Sequence, residues 1–361
     1  MSYRYLTLHA LTGATLAWDM PLTDVEFGPE LCGPGSFTGV VEPRLAHLTP
    51  SQLDAGTTLL FAERDRTLLW GGIIWRAEPE GQKLRLEASG FGSYLTKRHD
   101  LHGNLDGRGP WVNADPCRVI RDAWAYCQAQ PDGDLDVTVD ATTSTAKVGT
   151  SGEPYSTAWW EAPALNTVVD DMVAVAGGPE WTEAVAWAGN TPTRRIRIGW
   201  PRLGTRRQDI SFTSGINVVT TVPVQYDADN YAQVVIGLGA GEGRSRRRAV
   251  DAVRNGRLRL EQVLEVPNEK ANDRLAARTR TERVSRSVIG EVTEVVIRDH
   301  PAARIGSFQV GDDVRVRLND EWTQYDGWSR ITAWTLKPPS EDEPEQVTVQ
   351  LVRADRYTYG A

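Results

Sequence analysis

Period-two alternation of polar and apolar positions dominates both ends of this chain. Tyr3, Tyr5, Thr7 and His9 alternate with Arg4, Leu6 and Leu8, and Lys83 to Ala88 reads Lys-Leu-Arg-Leu-Glu-Ala. Such alternation predicts strands with one buried face. Asp24-Val25-Glu26-Phe27 and Phe37 to Val41 are shorter strands around the turn-rich Gly33-Pro34-Gly35-Ser36. Thr57 to Ala62 and Leu68 to Trp75 flank Arg64-Asp65-Arg66, which predicts a hairpin turn. Short strands broken by frequent glycine and proline predict a small barrel or sandwich over residues 1–105.

The period then changes. Asp115-Pro116 supplies an N-cap acid and a proline at the first helical position. Val119, Ile120, Ala123, Trp124 and Cys127 follow on one apolar face. Leu165, Val168, Val169, Met172, Val173 and Ala176 give a second helix, stopped by Gly177-Gly178. Trp181 to Trp187 and Arg195 to Trp200 read as strands, so residues 106–205 predict an α+β subdomain. Strand character returns at Asp209 to Tyr226, Tyr231 to Leu238 and 286–361. Arg257 to Val266 is strand-like, and Asn268 to Val284 is a charged helix with few apolar anchors. The expected architecture is mainly β with an α+β insertion. It has two similar small β-barrels, the second assembled from 206–240 and 300–355, with 241–299 as a smaller inserted subdomain and 356–361 as a tail. The similarity of the barrels rests on a glycine echo: Gly56 and Gly72 are spaced like Gly311 and Gly327, each pair leading into a strand with a tryptophan, Trp75 or Trp334.

Composition narrows the function classes. A length of 361 residues suits two to four subdomains, and 40% hydrophobic with 24% charged residues is ordinary for a folded protein. The net charge of −8 argues against a general nucleic-acid binder, which needs basic excess to neutralise phosphates. Cys32, Cys117 and Cys127 are too few and too oddly spaced for a disulfide framework and are expected to be reduced thiols. Met1 to Gly13 lacks the apolar core of a signal peptide, and no stretch approaches the apolar run of a membrane span. Neither export by the usual route nor membrane insertion is expected.

Candidate chemistry is sparse. Gly237, Gly239, Gly241 and Gly243 follow a strand, but no glycine-lysine-serine/threonine ending or capped helix comes next, so a loop between strands is favoured over a phosphate cradle. Arg244, Arg246, Arg247 and Arg248 form the dense basic run, suited to DNA phosphate or an acidic partner if not simply a solvated turn. His99, Asp100, His102 and Asp106 have zinc-like spacing, yet Gly103, Gly107 and Gly109 favour a solvated linker. No Gly-x-Ser-x-Gly elbow or His-Glu-x-x-His motif occurs. Thirteen tryptophans raise the idea of sugar platforms, but Trp70, Trp75, Trp124, Trp187, Trp200 and Trp334 lie in apolar patterns that favour core packing. No catalytic residue, metal or cofactor is expected.

Five strings carry a resemblance that spans nearly the whole chain. They are Leu22 to Phe37, then Leu69-Trp70-Gly71-Gly72-Ile73-Ile74-Trp75 with Ala88-Ser89-Gly90-Phe91-Gly92-Ser93-Tyr94, then Trp200-Pro201-Arg202-Leu203-Gly204, Gly239-Ala240-Gly241-Glu242-Gly243, and the strand from Gly306 to Leu318. In this order the chain resembles minor tail proteins of the tail-tip or baseplate hub family, from actinobacteriophages with long non-contractile tails. The resemblance implies a non-enzymatic virion protein of the tail tip, assembled in the host cytoplasm. It implies a homotrimer that adapts a six-fold tail tube to a three-fold tip, acting in assembly, DNA passage and host attachment. Its implied partners are the distal tail protein, the tape-measure protein and other minor tail proteins, with DNA passing unbound. Arg244, Arg246, Arg247 and Arg248 would then face the lumen or a neighbouring subunit. A distal tail or receptor-binding protein and a cell-wall hydrolase are the competing expectations. Because the chain stops at Ala361, directly after the second barrel, no appended hydrolase domain is expected.

Overall fold

Strands buried on both faces organise the protein. A computed structural model describes residues 2–44, 46–49, 52–221, 228–267, 269, 272–287, 292–319, 324–341 and 343–354. The first β unit comprises β1 (Tyr3–His9), β2 (Thr15–Ala17), β3 (Thr23–Glu30), β4 (Gly33–Val41), β5 (Thr58–Arg64), β6 (Thr67–Glu80) and β7 (Lys83–Ser89). The predicted turn between β5 and β6 is present. Asp65 and Arg66 hold φ of 46° and 70°, the two left-handed residues of a tight hairpin.

The α+β unit follows. A four-residue turn, α1 (Asn104–Gly107), has left-handed backbone at Leu105 and Asp106. The helix α2 (Pro116–Ala129) is capped by Asp115, whose side chain accepts from the Cys117 N–H at 2.9 Å. After β8 (Val137–Val139) come α3 (Leu165–Ala174), β9 (Glu180–Ala188) and β10 (Thr191–Gly199), the strands pairing in the order β8-β10-β9. This unit packs on the outer face of the first. Leu6, Leu8, Leu59 and Phe61 share a buried cluster with Ile120, Trp124, Leu165 and Met172. The other face of the same strands, Tyr5, Leu60, Ala62 and Trp70, joins Phe212, Val314, Val316 and Ile331 in a second cluster. Two-sided burial explains why β5 reads as an unbroken apolar run instead of alternating.

The second β unit contains β11 (Arg206–Thr213), β12 (Val218–Thr221) and, after an inserted module, β16 (Glu294–Ile297), β17 (Asp313–Asn319), β18 (Gln324–Lys337) and β19 (Gln346–Arg353). The module holds β13 (Val234–Leu238), β14 (Arg248–Ala252), β15 (Glu261–Glu265) and α4 (Asn272–Ser285). The chain is thus mainly β, with the α+β insertion that the pattern predicts. The two β units are not closed barrels among the described residues. They form one hydrogen-bonded path, joined where β18 meets β3 through Ala333 with Glu30 and Leu336 with Phe27. Two strands also change places relative to expectation. β13 pairs with β14 and β15 in the inserted module, and β16 pairs with β12 and β19 in the second β unit. Periodicity marks a strand but carries no information on which sheet it joins. Of the strand expected at Asp209 to Tyr226, residues 222–226 lie outside the described residues, as does the tail at 356–361.

The internal echo has a physical basis, with a shift. Strands β5, β6 and β7 form an antiparallel meander, and β17, β18 and β19 form another. Gly56 and Gly311 each sit before the first strand at positive φ, 80° and 91°. Each donates its N–H to an isoleucine carbonyl on the middle strand, Ile74 or Ile331, at 2.7 Å in both. Pairing with the third strand slips just after each isoleucine, between Ile74 and Arg76 and between Ile331 and Ala333. Superposing Ile74 on Ile331 sets Gly72 against Ser329 and Trp75 against Thr332. The first glycines therefore correspond, while Gly327 and Trp334 are not the counterparts of Gly72 and Trp75.

Trp200 to Gly204 ties the α+β unit to the second β unit. The Trp200 indole N–H donates to the Gly177 carbonyl at 2.8 Å, which holds the end of α3. Arg202 bonds the fully buried Asp313 of β17. Gly204, at φ +75°, lies so close to Gly311 that a Cβ would sit 2.2 Å from its carbonyl carbon. Arg330 of β18, fully buried, bonds Glu180 of β9 and the Leu203 carbonyl, while Glu180 also accepts from the Leu203 N–H at 2.8 Å. Removing one partner of such a buried pair leaves the other charge uncompensated, at a cost of about 3–5 kcal/mol. Arg330→Met should therefore lose about that much stability in urea unfolding; a loss below about 1 kcal/mol would show that the pair does not hold the units together.

Candidate interaction surfaces

Arg244, Arg246 and Arg247 of the arginine run lie on the loop between β13 and β14, and Arg248 opens β14. Arg244, Arg247 and Arg248 are exposed, and Arg246 is half-buried. Arg246 pairs with Glu265 of β15 and donates to the Gly239 carbonyl at 3.2 Å. Arg247 reaches Asn272 at the start of α4, at 3.4 Å. The expected loop between strands is present, and its glycines allow close packing. A Cβ on Gly237 would lie 2.1 Å from the Thr279 hydroxyl of α4, and one on Gly239 would lie 2.7 Å from the Glu269 carbonyl. Backbone bonds from Gly239 to Arg247, from Arg247 to Ala240 and from Ala240 to Glu269 close the loop. The basic character extends beyond the run. Residues 231–287 hold twelve arginines and one lysine against seven acidic side chains, within a chain of net charge −8. The inserted module is a basic unit on an acidic body.

The histidine–carboxylate segment is not a solvated linker. Asp100 is fully buried and accepts from the Gly103 N–H at 2.9 Å, the Leu105 N–H at 3.0 Å and the Thr157 hydroxyl at 2.6 Å. Gly103 and Gly107 take φ of 79° and 77° to turn the chain around it. His102 bonds the Tyr126 hydroxyl and His99 the Ala162 carbonyl. Among the described residues no three His, Cys, Asp or Glu groups come together as a metal site. Cys117 and Cys127 are buried free thiols, each pushed up to about 11 by burial.

The tryptophans divide. Trp70, Trp124 and Trp334 are core residues as expected, whereas Trp75, Trp187 and Trp200 are only partly buried. Trp18, Trp159 and Trp160 are exposed, the last two in edge-to-face contact on the loop before α3. Arg4 lies between Trp18 and Trp187, its guanidinium carbon 5.8 Å from each ring centroid. Sequence reasoning missed this group because Trp187 alternates with apolar neighbours and its strand end could not be told from a core strand.

Ser89 to Tyr94 has a local role. The glycines leave room for Glu183 of β9, which accepts from the Phe91 and Gly92 N–H groups at 2.7 Å each. A Cβ on Gly90 would meet that carboxylate at 2.2 Å. Burial pushes the Glu183 carboxyl up to about 8, outweighing the two N–H donors that lower it.

No known family profile matches this sequence, and no curated protein matches it. Solved structures do match in fold. The 43 kDa tail protein of prophage MuSo2 from Shewanella oneidensis is 13% identical with a TM-score of 0.63, covering 98% of this chain and 99% of that one. A tail protein from Neisseria meningitidis MC58 is 14% identical with a TM-score of 0.57, covering 97% and 96%. The E. coli c3393 protein is a component of the type VI secretion system with structural similarity to T4 tail proteins gp27 and gp5. It is 9% identical with a TM-score of 0.51, covering 100% of this chain and 76% of that one. At these identities the likeness is one of fold, and it runs the length of the chain.

A raised carboxyl has a defined linkage sign. The folded state holds the Glu183 proton more tightly than the unfolded chain, whose ordinary value is 4.5. The associated stability is fully present below that value and is lost as pH rises through about 8. Urea midpoints should fall between about pH 5 and about pH 9, and Glu183→Gln should flatten the fall; an equal slope in the variant would refute the assignment.

Proposed function

We propose that this chain is a structural, non-catalytic protein of a bacteriophage tail, and within the tail the hub at its tip. The observation that carries the reading is the end-to-end fold likeness to two tail proteins, each matched over nearly its full length. The ordered strings resembling actinobacteriophage minor tail proteins support the finer placement in a long non-contractile tail. In this reading three copies form a ring. Each contributes two related meanders, so a six-fold tube meets six near-equivalent surfaces, and closed symmetry prevents runaway head-to-tail growth. The distal tail protein, the tape-measure protein and other minor tail proteins are its neighbours. The acidic body lets DNA pass without sticking, and the basic module meets the lumen or an adjacent subunit through Arg244, Arg246, Arg247 and Arg248.

Electron cryo-microscopy of the assembled tail tip tests this reading. Three copies in a ring at the end of the tail are expected; six copies per ring, or a position at the capsid vertex, would overturn the hub assignment. Lysis of host cell walls by the purified chain in a zymogram would overturn the non-catalytic assignment.

The arginine run gives a separate expectation. Three of its side chains are exposed and the Arg246 pair is partly so, which limits their contribution to stability to about 1 kcal/mol. Replacing all four with serine should leave the melting temperature nearly unchanged while reducing intact tails and plaque titre. Unchanged titre and tail morphology would sink the assigned role.

A further inference from the structure

A cleft of about 750 Å³ opens where the first β unit meets the β9–β10 hairpin. Arg4, Trp18, Asp19, Glu63, Trp187 and Asn190 supply its chemistry. Its floor is built from buried polar contacts. The Glu63 side chain is 7% exposed and accepts from Arg4 at 2.7 Å and from the Trp187 indole N–H at 2.9 Å. That bidding for one carboxylate holds the guanidinium between the two indoles, where cation–π attraction adds to the ion pair. The Arg4 Nε is buried and has no partner among the described residues. Trp18 remains 50% exposed, an aromatic face at the mouth.

We propose that this cleft binds a neutral saccharide. The volume falls within the range of about 300–1,000 Å³ typical of small-ligand sites. Charge selects the ligand class. Arg4 and Arg66 are balanced by Asp19 and Glu63, so the lining offers no net charge to hold a phosphate or a sulfate. An apolar side chain would fit poorly, because it would bury the Asp19 carboxylate and the Asn190 carboxamide without giving them new partners. A sugar ring meets both demands. Its C–H face lies against an indole, and its hydroxyls both donate and accept. The Asp19 carboxylate, the Asn190 carboxamide and the exposed part of the Arg4 guanidinium are the complementary set. Because Glu63 and the indoles hold Arg4 before any ligand arrives, little ordering cost falls on binding. The inference goes beyond the tail-tip reading and does not depend on it.

The test is an array of bacterial-surface oligosaccharides probed with the purified full chain, followed by calorimetric titration with maltotriose and triacetylchitotriose. Saturable binding of uncharged glycans is expected. Trp18→Ala, at a half-exposed position, should weaken it by about tenfold or more, while Trp160→Ala at the other exposed aromatic site should leave it unchanged. Asn190→Ala should weaken it without changing the melting temperature. Absence of binding to every glycan, a preference for anionic over neutral ones, or affinity that survives Trp18→Ala would each overturn the proposal. The copy number per ring is read out separately by cryo-microscopy, so failure here is distinguishable from failure of the hub assignment.

Discussion

The buried pairing of Arg202 with Asp313 and of Arg330 with Glu180 is the constraint on which the placement of the α+β unit against the second β unit depends. Each pair crosses a boundary: Arg202 leaves the α+β unit to reach β17, and Arg330 leaves β18 to reach β9. Charges removed from water in this way bring little net stability but punish any misplacement, because a displaced partner strands a buried ion. The pairs therefore act as a registration device. Apolar contact alone would let sheets slide by a residue pair at modest cost. Two buried ion pairs, with Leu203 bonded through both its N–H and its carbonyl, permit one placement. The close meeting of Gly204 and Gly311 fixes the same point sterically.

Much of the fold was legible because its signals are local. The capped helix at Asp115-Pro116, the hairpin at Asp65-Arg66 and the meander strands all follow from neighbours in sequence. What could not be read is non-local. The string Trp200 to Gly204 stood out by resemblance, but its partner Arg330 lies 127 residues beyond Leu203. The exchange of β13 and β16 between sheets has the same origin. The surroundings of Asp100 were misread for another reason. Glycines at 103 and 107 suggested looseness, whereas positive φ at both wraps the backbone around a buried carboxylate. Of the candidate sites, the arginine run was found by its density, while the Trp18–Arg4–Trp187 group was not, since its members are separated by 14 and 183 positions and meet only through the sheet.

One continuous sheet changes what the two related meanders can do. Separate barrels would each need to close or cover their own edges. Here β18 pairs with β17 along its first half, with β19 along its second, and with β3 near its end. The long middle strand thus serves both its own meander and the seam to the first unit. Its counterpart β6 pairs with β5 and β7 but turns its outer face to the α+β unit. The two copies of the motif share the bulge and the glycine bond, yet differ in what covers them. Resemblance between the copies is therefore kept where geometry demands it, at Gly56 and Gly311, and lost at the neighbouring Trp75 and Thr332, where the environments differ.

The inserted module follows the opposite logic. Among the described residues of helix α4, Leu275 and Thr279 are buried against the sheet, with the Arg283–Asp251 ion pair at 2.5 Å alongside. Gly237 is what allows Thr279 to approach. The opposite face of the sheet leaves Val250 and Val263 about half exposed, beside Arg248 and Glu265. That exposed face places little constraint on its side chains. Arginine suits that freedom: it covers apolar ground with its stem and keeps a planar cation at the tip. The positive charge is thus concentrated in a unit that contributes no residue to the buried ion pairs of the body. Substitution there can change what the protein meets without disturbing how the α+β unit and the second β unit are registered.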